Sequence, residues 1–83
     1  MITFHLGGLL SRYKVTGIAL ANEIGVDKST VSRWRQGSQL PSLGNVNQVL
    51  IAIAKLGDED RLKAHPPTMA DALEWHLQQT EKN

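Results

Sequence analysis

The stretch that decides the fold of this 83-residue chain covers residues 17–36 and reads GIALANEIGVDKSTVSRWRQ. Apolar residues recur at three-residue spacing in both of its halves: Ile18, Ala21 and Ile24 in the first, Val31 and Trp34 in the second. This period predicts one helix over residues 16–24, which ends at Gly25. It predicts another over residues 28–36, whose N-terminus the Asp27 side chain would cap. Two short helices joined by a tight turn therefore form the centre of the sequence.

The spacing of small and apolar residues within this unit fits a close crossing of its two helices. Ala21 is small enough for the second helix to pass over it, Gly25 permits the turn, and Val31 anchors the second helix to the core. Gly37 follows the second helix at the position where a stop is expected. Together these features are typical of a helix-turn-helix.

The remaining segments also show the helical period or carry helix caps, and strand-like alternation is absent. The predicted helices outside the central unit cover residues 2–14, 43–56, 58–64 and 69–80. We therefore expect an all-α fold, a compact bundle of five to six short helices. The chain has room for one domain. Within it, residues 1–57 form the expected helix-turn-helix core and residues 58–83 a C-terminal helical extension that serves as a dimerisation element.

Composition excludes several classes of protein. The chain has no cysteine, which excludes disulfides, thiolate metal sites and thiol catalysis. No apolar run is long enough to span a bilayer, and the N-terminus lacks the layout of a signal peptide. We therefore expect a soluble protein of the cytoplasm, with no membrane partner.

The net charge of +1 is unevenly distributed along the chain. Residues 1–43 carry five basic and two acidic side chains, a balance of +3, whereas residues 44–83 carry four basic and six acidic side chains, a balance of −2. Three bases of the first half lie close together: Lys28, Arg33 and Arg35. A basic patch of this kind on one face of a helix is suited to contact with phosphate.

At these residues the chain resembles the lambda repressor/Cro-type (Xre-like) helix-turn-helix family. The resemblance covers residues 4–56 and rests on Leu20, Ala21, Ile24, Gly25, Val26, residues 29–34, Gly37, Pro41, Ser42 and Leu43. A narrower likeness, over residues 25–29 and 32–34, is to the recognition segment of the CII activator of lambdoid phages. The family resemblance implies a phage or bacterial transcriptional regulator that binds double-stranded DNA sequence-specifically as a homodimer, in association with the bacterial nucleoid.

Helix geometry and the resemblance together indicate which residues would read bases. Val31 and Trp34, three residues apart, share a face that would point inward. The opposite arc is polar and basic and suits a DNA major groove, where an arginine can bond O6 and N7 of guanine together. The residues predicted to read bases are Lys28, Ser29, Ser32 and Arg33.

Phosphate contacts are expected around this helix. Free backbone N–H groups near Gly17 and Ile18, at the start of the first helix of the unit, can hold a phosphate oxygen. The other predicted phosphate contacts are Arg35, Gln36, Ser38, Gln39 and Asn45. The family often has glutamine where this chain has Gly17, so one phosphate clamp is missing or is formed by the backbone alone. Tight binding would then require two subunits.

The last predicted helix carries an apolar arc wide enough to contact both the core and a partner. Trp and Met are enriched at protein interfaces, so we predict that residues 66–80 contribute to a homodimer. The predicted dimerisation residues are Met69, Ala72, Leu73, Trp75, His76 and Leu77. The alternative is that Trp75 covers the protein's own core.

A different class of function would use the same fold as a protein-binding module, such as an antirepressor or an antitoxin. The acidic second half or the last helix would then contact a protein partner. Nothing in the sequence pairs a nucleophile with a base, and His5, His65 and His76 lack the spacing of metal ligands. We therefore expect no enzymatic activity, no cofactor and no metal.

Overall fold

The computed structural model describes residues 2–75. Its elements are, in chain order, strand β1 (Ile2–Phe4), helices α1 (Leu6–Tyr13), α2 (Gly17–Ile24), α3 (Lys28–Gln36), α4 (Leu43–Leu56), α5 (Glu59–Ala64) and α6 (Met69–Ala72), and strand β2 (Leu73–Trp75). The prediction of a small, mostly helical domain is confirmed, and the described residues contain six helices. The prediction that the fold is entirely helical is wrong, because the described residues also contain two strands.

Local sequence signals determine the bounds of α2 and α3. The Thr16 hydroxyl accepts a hydrogen bond of 3.1 Å from the Ala19 N–H and caps the start of α2. At its end, Gly25 adopts the left-handed conformation (φ 74°), which glycine reaches without steric strain. Gly37 ends α3 in the same conformation (φ 81°). Both helices therefore begin and end where the sequence predicts.

The start of α3 differs from the prediction in one detail. Asp27 occupies the N-cap position, but its side chain accepts no hydrogen bond from the helix. The N–H groups of Thr30 and Val31 bond to the backbone carbonyl of Asp27 instead, at N···O distances of 3.0 and 3.3 Å. The backbone alone holds this helix start, and the Asp27 residue is exposed.

The two ends of the described chain form a small antiparallel sheet. β1 pairs with β2, with Ile2 opposite Trp75 and Phe4 opposite Leu73. The helix predicted over residues 2–14 therefore begins only at Leu6, and the helix predicted over residues 69–80 gives way to a strand after Ala72. Strands of three residues are too short to show alternation, and a pairing between distant segments leaves no periodic signal. Residues 76–80 of that predicted helix lie outside the described residues.

One hydrophobic core unites the described chain. Its largest fully buried side chains are Tyr13, Leu6, Leu20, Ile53, Val31, Val46 and Val49. Phe4 of β1 and Ala72 of α6 belong to the same core, and the Phe4 ring meets Trp34 edge to face at a centroid distance of 6.5 Å. The packing does not divide at residue 57. As far as Trp75, the predicted C-terminal extension is part of the same domain as α1–α4.

Hydrogen bonds connect the α5 segment to α1 and stabilise the start of α6. The Tyr13 hydroxyl donates to the His65 carbonyl, and the Tyr13 carbonyl accepts from the Asp58 N–H at 2.9 Å. Thr68 and Asp71 form a capping box at the start of α6. Partial burial would raise the pKa of the Asp71 carboxyl, but hydrogen bonds from Thr68 and His65 outweigh it and hold the pKa below its usual value.

We expect Gly57→Ala to destabilise the fold. A Cβ at this position would lie 2.7 Å from the Ile53 carbonyl oxygen and 3.1 Å from the Tyr13 Cβ, so the last turn of α4 would have to shift. The free energy of unfolding should fall by about 1–3 kcal/mol in urea denaturation. The matched control is Gly8→Ala, where a Cβ meets no atom within 4 Å, and this variant should be as stable as wild type or more stable. Equal stability of Gly57→Ala and wild type would contradict the assigned packing.

We expect Asp71→Asn to destabilise the protein in a pH-dependent way. Because the Asp71 pKa is lower in the folded than in the unfolded chain, the ionised carboxylate stabilises the fold above the ordinary carboxyl pKa of 3.8. That stabilisation is lost as the pH falls through the folded-state pKa. The difference in unfolding free energy between wild type and Asp71→Asn should therefore be present at about pH 7 and shrink toward zero at about pH 2. Urea unfolding at both pH values tests this, and a constant difference would refute it.

Candidate nucleic-acid interface

Burial of two apolar side chains fixes the orientation of α3. Val31 and Trp34 are each 2% exposed, which confirms the prediction that they point inward. The residues predicted to read bases are all exposed: Lys28, Ser29, Ser32 and Arg33. We call these four residues the α3 face. Because α3 is a regular helix, turning one side into the core presents the other side to solvent as a rigid surface.

An open groove of about 700 Å³ lies between the start of α2 and the α3 face. Its lining residues are Thr16, Gly17, Ile18, Lys28, Ser29, Val31, Ser32, Arg33 and Arg35. The groove thus unites all four predicted base-reading residues with three of the predicted phosphate contacts. The other four predicted phosphate contacts, which lie at the end of α3 and beyond it, do not line this groove.

Arg35 connects three helices at one side of the groove. A Cβ on Gly7 of α1 would lie 3.8 Å from the Arg35 Cγ, so the aliphatic stem of Arg35 passes over α1. A Cβ on Gly17 would lie 3.9 Å from the Arg35 Nη1 and 3.6 Å from a Val31 methyl. The Arg35 guanidinium therefore lies beside Gly17, at the start of α2.

The start of α2 itself offers unused hydrogen-bond donors. Thr16 accepts from the N–H groups of Ala19, through its hydroxyl, and of Leu20, through its carbonyl. The N–H groups of Gly17 and Ile18 precede these bonds and find no acceptor among residues 2–75. Together with the positive end of the helix dipole and the nearby Arg35 guanidinium, they form a surface that favours an anion.

Within the described part of the chain, no carboxylate neutralises the basic side chains at the groove. Ion pairs within residues 2–75 that involve lysine or arginine join Arg12 to Asp71, Lys55 to Glu23 and Lys63 to Glu59. Lys28, Arg33 and Arg35 pair with no carboxylate among the same residues. The lysine and arginine side chains that pair with carboxylates lie on α1, α4 and α5, so these ion pairs leave the positive charge of the groove available to a ligand.

Two polar neighbours hold the Arg33 side chain. Its Nε donates to the Gln39 Oε1 at 2.9 Å, and its Nη2 donates to the Thr30 hydroxyl at 3.2 Å. Thr30 is not among the predicted contact residues, although its position three residues before Arg33 on one helix places the two side chains side by side. The contact with Gln39 crosses the turn at Gly37, and no helical period could have indicated it.

Other predicted phosphate contacts are partly engaged within the protein. The Ser38 hydroxyl donates to the Arg33 carbonyl at 3.3 Å and closes the end of α3. The Asn45 side chain accepts from the Ser42 hydroxyl at 2.9 Å and donates to Gln48 at 3.2 Å. Gln36 is exposed near the end of α3 and lines a separate groove with Ile2 of β1.

The four described residues among those predicted to mediate dimerisation differ in exposure. Ala72 is fully buried in the core, so the prediction that it contacts a partner is wrong. Met69 and Trp75 are 42% and 67% exposed, and Leu73 is partly buried against the core. Trp75 lies opposite Ile2, itself 50% exposed, on one face of the sheet. His76 and Leu77 lie outside the described residues.

The described histidines bond to carboxylates. The His5 Nε2 lies 2.6 Å from a Glu74 oxygen, and the His65 Nε2 lies 3.0 Å from an Asp71 oxygen. Residues 2–75 contain no group of three or more histidine, aspartate or glutamate side chains arranged to hold a metal ion. Over the same residues, no helix combines the length and the apolarity that crossing a membrane requires.

No family model, curated protein or solved structure matches this chain. Its function must therefore be inferred from the geometry and charge of the groove between α2 and α3.

Proposed function

We propose that this chain is a sequence-specific double-stranded DNA-binding regulator of transcription, of phage or bacterial type, that acts as a homodimer at the nucleoid in the cytoplasm. The observation that carries the proposal is the α3 face. It combines two serine hydroxyls with two basic side chains that pair with no carboxylate among residues 2–75, on one exposed side of a nine-residue helix. Beside it lies the free N-terminus of α2.

The dimensions and chemistry of this face fit the major groove of DNA. That groove is about 12 Å wide and admits one α-helix. Its base edges offer acceptors on guanine to Arg33 and Lys28, while Ser29 and Ser32 can donate to or accept from either base pair. Arg33 is the strongest reader, because its planar guanidinium can bond O6 and N7 of one guanine together.

Phosphate contacts would come from the rim of the groove. The N–H groups of Gly17 and Ile18 would hold one phosphate, and Arg35, whose guanidinium lies near Gly17, would neutralise the same strand. Each subunit brings few basic side chains to this surface. A homodimer doubles the number of neutralised phosphates and so supports tight binding.

Arg33→Ala and Arg35→Ala should fail in different ways. The duplex for the test is selected from random sequences by the wild-type chain, at two salt concentrations. Loss of Arg33 should reduce discrimination at one base pair by about 1–3 kcal/mol. Loss of Arg35 should weaken binding to all sequences alike and lower the slope of log K against log salt by about one unit. Fluorescence anisotropy titrations measure both quantities.

These titrations can reject the proposal at two levels. If Arg33→Ala keeps both the affinity and the base preference of wild type at fixed salt, the reading role of Arg33 is wrong. If the wild-type chain enriches no sequence and binds duplexes only weakly and alike, the proposed function itself is wrong.

We expect Trp75→Lys to convert a dimer into a monomer. Trp75 is exposed on the sheet beside Ile2, so burying this apolar pair against a second copy would stabilise the dimer, and a lysine there would oppose it. Leu43→Lys is the matched control, since Leu43 is equally exposed, at 69%, but lies at the start of α4. Light scattering of the full chain gives the masses. A dimeric Trp75→Lys would remove Trp75 from the interface, and a monomeric wild type would refute the homodimer.

One observation favours a second candidate function, a protein-binding module. Large apolar side chains are exposed away from the α3 face, among them Leu43 and Ile51 on α4, at 69% and 60%. A partner protein bound there would protect them from water. Capture of one protein in stoichiometric amounts, with no DNA binding by the same preparation, would support this function over DNA binding.

A further inference from the structure

The two hydrogen bonds to Arg33 have a consequence for how it would read a base. An exposed arginine usually samples many rotamers, and fixing one of them costs conformational entropy at the moment of binding. Here the guanidinium already donates two hydrogen bonds within the protein, to Gln39 at 2.9 Å and to Thr30 at 3.2 Å. Thr30 is half-buried on the same helix, so it offers a firm support for one of these contacts.

The atoms involved determine which donors of Arg33 stay free. A guanidinium has five N–H donors. The bonds to Gln39 and Thr30 use Nε and Nη2, the two nitrogens along one edge of the planar group. Among residues 2–75, the other edge, formed by Nη1 and the second hydrogen of Nη2, bonds to no acceptor. That edge carries two parallel donors, which is the arrangement that bonds O6 and N7 of guanine.

We propose that Thr30 and Gln39 are positioning residues that hold the Arg33 guanidinium with its free edge ready for guanine. This inference rests on the proposed DNA-binding function and adds two specificity-determining residues to it. Neither Thr30 nor Gln39 needs to touch the guanine, because each acts through Arg33. Preorganising the reader in this way lowers the entropy cost of binding the correct base.

Gln39 can combine this role with the phosphate contact predicted for it. Because the Arg33 Nε–H can only donate, the amide oxygen of Gln39 faces Arg33, and the amide NH₂ group is left for a phosphate oxygen. The backbone supports this placement, since the Ser38 N–H bonds to the Arg33 carbonyl at 3.1 Å directly before Gln39. One side chain would thus link the position of a phosphate to the orientation of the base reader.

The test measures discrimination at a single guanine. The probe is the duplex selected by the wild-type chain, and the guanine is the one whose replacement by 7-deazaguanine, which lacks N7, weakens binding of wild type but not of Arg33→Ala. The variants are Gln39→Ala and Thr30→Val, with Thr30→Ser as the matched control that keeps the hydroxyl. We expect the penalty of the 7-deazaguanine substitution to shrink by roughly three- to tenfold in Gln39→Ala and Thr30→Val, and to be retained in Thr30→Ser.

Two further measurements separate positioning from other roles. In an Arg33→Ala background, Gln39→Ala and Thr30→Val should leave base discrimination unchanged, because they act only through Arg33. In the free protein, Gln39→Ala should accelerate hydrogen exchange at the Arg33 Nε–H, observed by NMR, since that N–H loses its acceptor. Both readouts report on the Arg33 side chain itself. A general loss of stability would not reproduce this combination of effects.

The outcomes distinguish this proposal from the proposed function. Selective DNA binding by wild type, with an unchanged 7-deazaguanine penalty in Gln39→Ala and Thr30→Val, overturns the positioning role alone. If Gln39→Ala keeps the full 7-deazaguanine penalty and weakens binding to all sequences alike, also in the Arg33→Ala background, Gln39 is a phosphate contact only and its positioning role is overturned. Failure of wild type to bind any duplex selectively, or the absence of such a guanine from the selected duplex, overturns the guanine-reading role of Arg33 and this proposal with it.

Discussion

Burial of Val31 and Trp34 is the constraint on which the rest of the surface depends. Both side chains are almost fully removed from water, and Trp34 also meets Phe4 of β1 edge to face. Two anchors one turn apart prevent α3 from rotating about its axis. The polar and basic side of α3 is therefore held at a fixed angle next to the start of α2. A shift of either anchor would move the whole α3 face at once.

The distribution of charge strengthens this geometry. Carboxylates in the described chain pair with lysine and arginine side chains on α1, α4 and α5. The basic side chains of α3 have no acidic partner among residues 2–75. A chain with a net charge of only +1 can in this way present a local positive surface to a polyanion. The Arg35 guanidinium contributes to this surface, because it lies beside Gly17 at the N-terminus of α2.

The terminal sheet makes the described part of the C-terminal segment an integral part of the domain. Ala72 lies in the core, β2 pairs with β1, and the Tyr13 hydroxyl reaches the His65 carbonyl. The segment after residue 57 therefore completes the domain and supports α3 indirectly, through β1 and Phe4. Of the side chains predicted to meet a partner, Trp75 remains the most exposed within the described residues.

Local sequence patterns were enough to predict the helices around the turn and the inward side of α3. Their signals, the Thr16 cap, Gly25, Gly37 and the spacing of Val31 and Trp34, act within a few residues. Tertiary packing, by contrast, produces the pairing of Ile2–Phe4 with Leu73–Trp75, the burial of Ala72 and the bond between Arg33 and Gln39. Those contacts depend on where the folded backbone brings segments that follow no common period, and local propensity carries no information about that.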